Sequence, residues 1–147
     1  MPMRRLFVDA NVLVAGADSR SGASNAILQL AEIGLLQLVV SRQVLDEAER
    51  NVRKKLPRAL ANFAAVLAQL PLEIVPDPDD EACFQWAAII ELKDTPILAA
   101  AVLAGVDRLI TLNTRDFTPA VAQAAGLVIQ TPGDFIQTIR QLFEENL

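Results

Sequence analysis

Short apolar runs alternate with longer stretches of helical period along this chain, and that alternation limits the fold more than any other feature. Leu6-Phe7-Val8 reads as a short buried strand. Ser24–Gly34 reads as a helix closed by its glycine. Leu35–Val40 is the second strand, and Ser41 is placed to cap a helix running to about Lys55. Pro57 interrupts, and Arg58–Gln69 is helical again. Leu72–Val75 is the third strand, followed by an acidic loop, Pro76–Asp80. Glu81–Leu92 and Pro96–Ala104 read as helices, the second ending at Gly105. Arg108–Leu112 is the fourth strand, Pro119–Ala125 a short helix stopped by Gly126, and Leu127–Gln130 the fifth strand. Thr131 caps the last helix, with Pro132 at its first position and Asp134 three residues after the cap. Strands separated by helices pair in parallel through right-handed crossovers. Their unbroken apolar character fits a sheet covered on both faces. The expectation is an α/β fold, one domain over residues 1–147, with any site beyond the carboxyl ends of the strands.

The residue inventory removes several chemistries. The 147 residues are 52% hydrophobic, enough for a sizeable core. The longest apolar stretch, Pro96–Val106, is too short to span a bilayer. Met1-Pro2-Met3-Arg4-Arg5 leads directly into a strand-like run, so no signal peptide is expected. The lone Cys83 excludes an internal disulfide and fits a reducing cytoplasm. With no histidine and no tyrosine, Ser-His-Asp catalysis, histidine bases and histidine zinc sites are excluded. A net charge of −5 argues against nucleic-acid binding by a basic surface alone. It is compatible with a site where bound cations meet phosphate.

Carboxylates fall where the fold would gather them. Asp9 ends the first strand, and Asn113 and Asp116 lie in the loop leaving the fourth. On the helix after Ser41, the apolar face is Val44, Leu45, Ala48 and Val52. Glu47 sits at its margin beside Asn51, Asp46 points to solvent, and Glu49 borders the opposite margin. Asp94 precedes a helix apolar on nearly every side, at that helix's positive end. Each acid alone has an ordinary explanation as a turn, cap or surface residue. Asp9, Glu47, Asp94 and Asp116 brought together would repel one another, and a divalent ion resolves that repulsion. Oxygen ligands alone favour Mg²⁺ or Mn²⁺ over zinc.

The order Val8-Asp9-Ala10-Asn11-Val12-Leu13-Val14, Val44-Leu45-Asp46-Glu47-Ala48, Lys93-Asp94-Thr95-Pro96-Ile97-Leu98-Ala99-Ala100-Ala101 and Leu109-Ile110-Thr111-Leu112-Asn113-Thr114-Arg115-Asp116-Phe117 resembles the PIN-domain family. Within it, the chain is similar to the toxin nucleases of bacterial toxin–antitoxin systems. The resemblance spans nearly the whole chain. It implies a PIN-like three-layer fold, a five-stranded parallel sheet flanked by helices. It implies a metal and catalytic site of Asp9, Glu47, Asp94 and Asp116, supported by Asn11, Thr95 and Asn113. Many relatives have an acid where this chain has Asn113, which leaves the fourth-strand contribution on Asp116. The implied activity is metal-dependent hydrolysis of RNA to a 5′-phosphate and a 3′-hydroxyl. The implied partners are RNA, a cognate antitoxin and a second copy of the chain, with no membrane. The Ala- and Leu-rich segments Ser24–Gly34 and Ala59–Leu70 read as core-facing and able to carry such interfaces.

Arg50, Arg53, Lys54, Lys55 and Arg58 form the one dense basic cluster, either an RNA-backbone contact or a solvated helix end. Thr111 and Thr114 read as strand-end and loop residues ahead of the alternative that they hydrogen-bond a ligand or a carboxylate, and Phe84 and Trp86 read as core. A haloacid-dehalogenase-type site needs a second Asp where Asn11 stands. A receiver domain needs a late Lys, and none follows Lys93. The rival to the nuclease is a PIN-like module that binds RNA or antitoxin with little catalysis.

Overall fold

The computed structural model describes residues 4–146. Residues 1–3, expected to lead directly into a strand, lie outside the described residues. Five strands form one sheet: β1 (Arg4–Val8), β2 (Leu36–Ser41), β3 (Glu73–Val75), β4 (Arg108–Ile110) and β5 (Val128–Gln130), in the order β3-β2-β1-β4-β5. Every neighbouring pair is parallel. Eight α-helices flank the sheet: α1 (Ala10–Asp18), α2 (Ala23–Glu32), α3 (Arg42–Lys55), α4 (Leu60–Gln69), α5 (Asp80–Phe84), α6 (Thr95–Ala104), α7 (Pro119–Ala125) and α8 (Pro132–Glu145). Successive strand residues point to opposite faces, and Leu6, Phe7 and Val8 are all fully buried. Both faces of the central strand are therefore covered, as the unbroken apolar run requires. No helix among the described residues is long and apolar enough to cross a membrane.

Local sequence explains the boundaries. Ser41 caps α3 by accepting the Val44 N–H at 3.2 Å. Thr131 caps α8 by accepting the Asp134 N–H at 3.1 Å. Gly34, Gly105 and Gly126 have φ of 86°, 64° and 64°, and each turns the chain out of a helix toward the next strand. A residue with a Cβ meets a steric penalty in that left-handed region. Among the described residues no non-glycine has positive φ.

Three differences from the sequence reading have physical causes. First, Ala10–Asp18 is a helix, although the run after Asp9 gave no separate helical signal. It packs against α2, α3 and α4. Gly16 permits the close crossing with α2, since a Cβ there would lie 2.6 Å from Leu28 Cδ1 and 3.1 Å from the Ser24 carbonyl oxygen. Second, the helix expected over Glu81–Leu92 ends at Phe84. Turns continue to Ile90, and a 3₁₀ turn covers Leu92–Asp94. Phe84, expected in the core, is 73% exposed, while Trp86 is half-buried. Third, α4 buries only Phe63 rather than a broad apolar face, and its alanines 61, 64, 65 and 68 lie outside the core.

Candidate active site

The carboxyl ends of β1 and β4 are adjacent because these strands pair directly, Val8 opposite Ile110. Asp9 is the first residue past β1. Its N–H still donates to the Ile110 carbonyl at 3.0 Å, which fixes its backbone in the ladder. Its extended dihedrals make it the N-cap of α1. Oδ1 accepts the Ala10 N–H at 2.8 Å. Oδ2 accepts the Thr111 hydroxyl at 2.8 Å and the Asn11 amide at 3.4 Å. Burial pushes the Asp9 carboxyl above its ordinary range, and these three bonds pull it partly back.

Two polar residues lock the loop after β4 to the turn after β1. Thr111, 1% exposed, accepts the Asn113 N–H at 3.0 Å while donating to Asp9. Asn11 Oδ1 accepts the Leu112 N–H at 3.1 Å. Of the two readings the sequence allows for Thr111, strand-end residue or hydrogen-bond partner of a carboxylate, the structure shows the second: Thr111 is the clamp on Asp9. A polar side chain directly after the apolar Leu109-Ile110 was the available signal. Thr114, by contrast, is exposed and makes no side-chain hydrogen bond among the described residues.

Asn113 holds Asp116. Its amide Nδ2 donates to Asp116 Oδ2 at 3.2 Å, and its Oδ1 accepts the Asp116 N–H at 3.3 Å. The Asp116 side chain is only 10% exposed. The Asn113 amide holds its carboxyl below the ordinary range, helped by Asp94 when that neighbour carries its proton and by the charge of Lys93. Lys93 Nζ stands 3.6 Å from Asp116 Oδ2 and 3.9 Å from Glu91 Oε2.

Asp94 is the strained member. It sits at the mouth of α6 yet makes no side-chain cap bond. Its Oδ2 is buried with no partner among the described residues. Burial, then the bond and charge of Asp116, and the charge of Asp9 push its carboxyl to about 6, against the pull of Lys93. Thr95, 1% exposed, pins the preceding turn by donating its hydroxyl to the Leu92 carbonyl at 2.8 Å. Glu47 lies half-buried on α3. Its carboxyl is raised by burial and by the charge of Asp9, and Arg50 opposes the rise.

Asp9 acts by charge on Glu47 and on Asp94, and Asp94 on Asp116, but of the four expected acids only Asp94 and Asp116 fall, among the described residues, in a group close enough to share an ion. Glu91 joins them without having been anticipated. One carboxylate oxygen from each of Glu91, Asp94 and Asp116 lies within 4.8 Å of the others. The available signal was spacing, since residues three apart eclipse in a 3₁₀ turn. Asp46 is exposed, as read from the helical wheel. Arg53, Lys54, Lys55 and Arg58 are exposed along with Arg50, and Arg53 pairs with Glu49 at 2.9 Å.

The shift on Asp94 has a sign that melting curves can read. In the unfolded chain an Asp loses its proton near pH ~4, whereas folded Asp94 holds it to about 6. Between those values the folded state binds the extra proton, so this contribution to stability is present at low pH and lost as pH rises through about 6. In chelator, Asp94→Asn should gain on wild type as pH increases over that window and hold its gain above it. A difference in melting temperature between the two proteins that does not change with pH would show that Asp94 is not strained.

A parallel α/β sheet whose carboxyl edge gathers linked acids, held by hydroxyl and amide side chains, defines the class of protein. The PIN-domain family model matches residues 5–115, and the chain belongs to that family. Comparison with curated proteins finds no match. Solved structures with a similar fold include a toxin–antitoxin complex from Klebsiella pneumoniae, with TM-score 0.61 and 23% identity over 86% of this chain and 97% of that one. DNA-bound VapBC from Salmonella typhimurium gives TM-score 0.62 and 18% identity over 88% and 99% of the two chains. The sarcin–ricin-loop-cleaving toxin VapC20 of Mycobacterium tuberculosis gives 0.57 and 19% over 84% and 96%. At these identities the likeness is one of fold.

Proposed function

We propose that this protein is an endoribonuclease dependent on Mg²⁺ or Mn²⁺, and the toxin of a toxin–antitoxin pair. The observation that carries the reading is the Asp94 carboxyl, half-buried, with one oxygen unpartnered and its ionisation opposed by Asp116 and Asp9. A group so placed is stabilised by a cation. The donor set fits a hard dication, being carboxylate, amide and hydroxyl oxygen in a chain without histidine. Asp9 and Asp94 are assigned as the inner ligands, with Glu47 and Asp116 completing the site directly or through water. A divalent ion bound there supplies positive charge to the scissile phosphate and acidifies the attacking water. The chain's own part is orientation. Thr111 and Asn11 fix the rotamer of Asp9, Asn113 fixes Asp116, and Thr95 fixes the turn that presents Asp94. Hydrolysis leaves a 5′-phosphate and a 3′-hydroxyl.

RNA as substrate and an antitoxin as partner are supported by the fold neighbours, one named for cleaving the sarcin–ricin loop and others solved as toxin–antitoxin assemblies. A homodimer and a cytoplasmic location belong to the same proposal. The test is incubation of the purified protein with labelled mixed RNAs in Mn²⁺ or Mg²⁺, with a chelator control. Metal-dependent cutting to 5′-phosphate ends is expected. RNA left intact by wild type across a broad set of structured and unstructured RNAs would favour the binding-module reading.

The basic end of α3 and the turn after it are assigned as the binding surface for the RNA backbone, because Arg50, Lys54 and Lys55 lie on the same helix as Glu47 and Arg58 on the turn that follows. RNA affinity is then expected to fall steeply with salt. Each phosphate interaction removed should lower the slope of log affinity against log salt by about 0.7 for a single strand. Neutralising Arg50, Lys54, Lys55 and Arg58 together should flatten that slope. An unchanged slope would return these residues to the role of solvated helix end.

A further inference from the structure

A cleft of about 510 Å³ runs along the edge strand β5 and the loop that leaves β4. It shares Thr111 with the site already described, and that hydroxyl lies 2.8 Å from Asp9 Oδ2. Apolar lining comes from Phe117, Val128 and Ile129. Polar lining comes from Thr114, Thr118, Thr131 and Asp134. Such a mixture, a mainly apolar cleft of about 300–1,000 Å³ with a few convergent polar groups, is what small-ligand sites share.

Charge and hydrogen-bond inventory select the occupant. Asp134 is the one charged residue lining the cleft, and no cation lines it among the described residues. A phosphate is repelled there, and an uncharged ring is not. The hydroxyls of Thr118 and Thr131 each accept a helix N–H, from Val121 at 3.3 Å and from Asp134 at 3.1 Å. Their own O–H groups remain available as donors. One N–H at each of these helix starts is thereby taken, and the proline at each first helical position offers none, which weakens the usual anion site. The Gln130 amide is held in place by Arg108 and Thr138. What remains is an apolar slot with hydroxyl donors and a single carboxylate acceptor. RNA is read in sequence through bases splayed out of the strand and hydrogen-bonded on their edges.

We propose that this cleft holds the base of a nucleotide flanking the scissile phosphate, and that Asp134 selects a base whose edge carries an exocyclic amino group. The inference rests on the ribonuclease reading for its substrate. It assigns the cleft a specificity role that the acids cannot have, because the acids meet only phosphate and water. Adenine, cytosine and guanine offer an exocyclic amino donor to the carboxylate, whereas uracil offers only its ring N3–H, set between two carbonyls that the carboxylate repels.

Two measurements separate this inference from the reading beneath it. The first is binding in Mg²⁺ buffer, followed by the amide resonances of Thr114, Thr118 and Thr131 during titration with cytidine and with uridine. These nucleosides differ at the group the carboxylate would read. Cytidine is expected to shift the three signals saturably and about tenfold more tightly than uridine, and Asp134→Ala should erase the difference. Unmoved signals, or equal affinity for both nucleosides, would overturn the proposal. The second is mapping of cleavage sites on a random-sequence RNA pool. Wild type should show depletion of uracil at one position beside the cut, and Asp134→Ala should lose it. Cutting with uracil as frequent as the other bases overturns the base site and leaves the nuclease standing. Selective cytidine binding with no cutting does the reverse.

Discussion

Asp94→Asn is expected to lower RNA cleavage in Mg²⁺ by about three orders of magnitude or more, while the protein stays folded. The substitution keeps the shape of the side chain and removes one charge. The acid it replaces is the point where burial, Asp116 and Asp9 all oppose ionisation. Removing the charge therefore removes repulsion that the chain itself does not offset. The new amide can also donate to Asp116, whose carboxyl is held ionised by Asn113. In chelator the variant should be slightly more stable than wild type. A gain of about 1 kcal/mol, after allowing for partial exposure to solvent, would raise Tm by about 2–4 °C in a domain of this size. The two readouts must move in opposite directions. Cleavage rates on labelled RNA and thermal melts in chelator provide them. A variant that cuts at the wild-type rate would remove Asp94 from the site, and a large loss of stability in chelator would make its role structural.

Leu98→Ala should have the largest effect on the fold itself. Leu98 is fully buried in α6, where Ile97, Ala99, Ala100 and Ala101 are also buried, so the helix has almost no solvent face at that level. The neighbours cannot collapse into the space left behind. A loss of about 2–5 kcal/mol is expected, with Tm lower by about 5–15 °C. Leu103 lies on the same helix but is 65% exposed, and Leu103→Ala should change stability by no more than about 0.5 kcal/mol. Urea unfolding of the two variants gives the comparison. Equal losses would mean that α6 is held less tightly against the sheet than its burial implies. The same helix presents Asp94 and Thr95 at its first turn, so Leu98→Ala should weaken cleavage as well.

Much of this architecture is legible in the residues because local signals and global packing agree. Ser41 and Thr131 are caps, and Gly105 and Gly126 are stops, at the points where the apolar period changes. The unbroken apolar strands announce a doubly covered parallel sheet, and that topology brings Asp9 and the loop after β4 to one edge. What escaped was decided by tertiary contact. Helix α1 follows β1 with only Asp9 between them, and that cap is the residue that reads as a strand end. Its Gly16 sits mid-helix, where it serves the crossing with α2. Phe84 carries an apolar signal and lies outside the core, because α5 ends after a single short run and the chain turns away. Thr111 and Glu91 are ordinary residue types whose importance lies in what the folded chain places beside them.

The two edges of the sheet also differ in how a lineage can change them. Gly34, Gly105 and Gly126 all lie on the amino edge, each at the return from a helix into a strand, and the acids lie on the other. A substitution at one of these glycines should cost about 1–2 kcal/mol of folding free energy and leave the carboxylates as they were. A substitution at Thr111 or Asn113 should do the reverse, sparing the turns and loosening the acids. Descendants of such a chain can accumulate variation on one edge while the other is held by selection. Tolerance and chemistry are inherited through separate sets of positions.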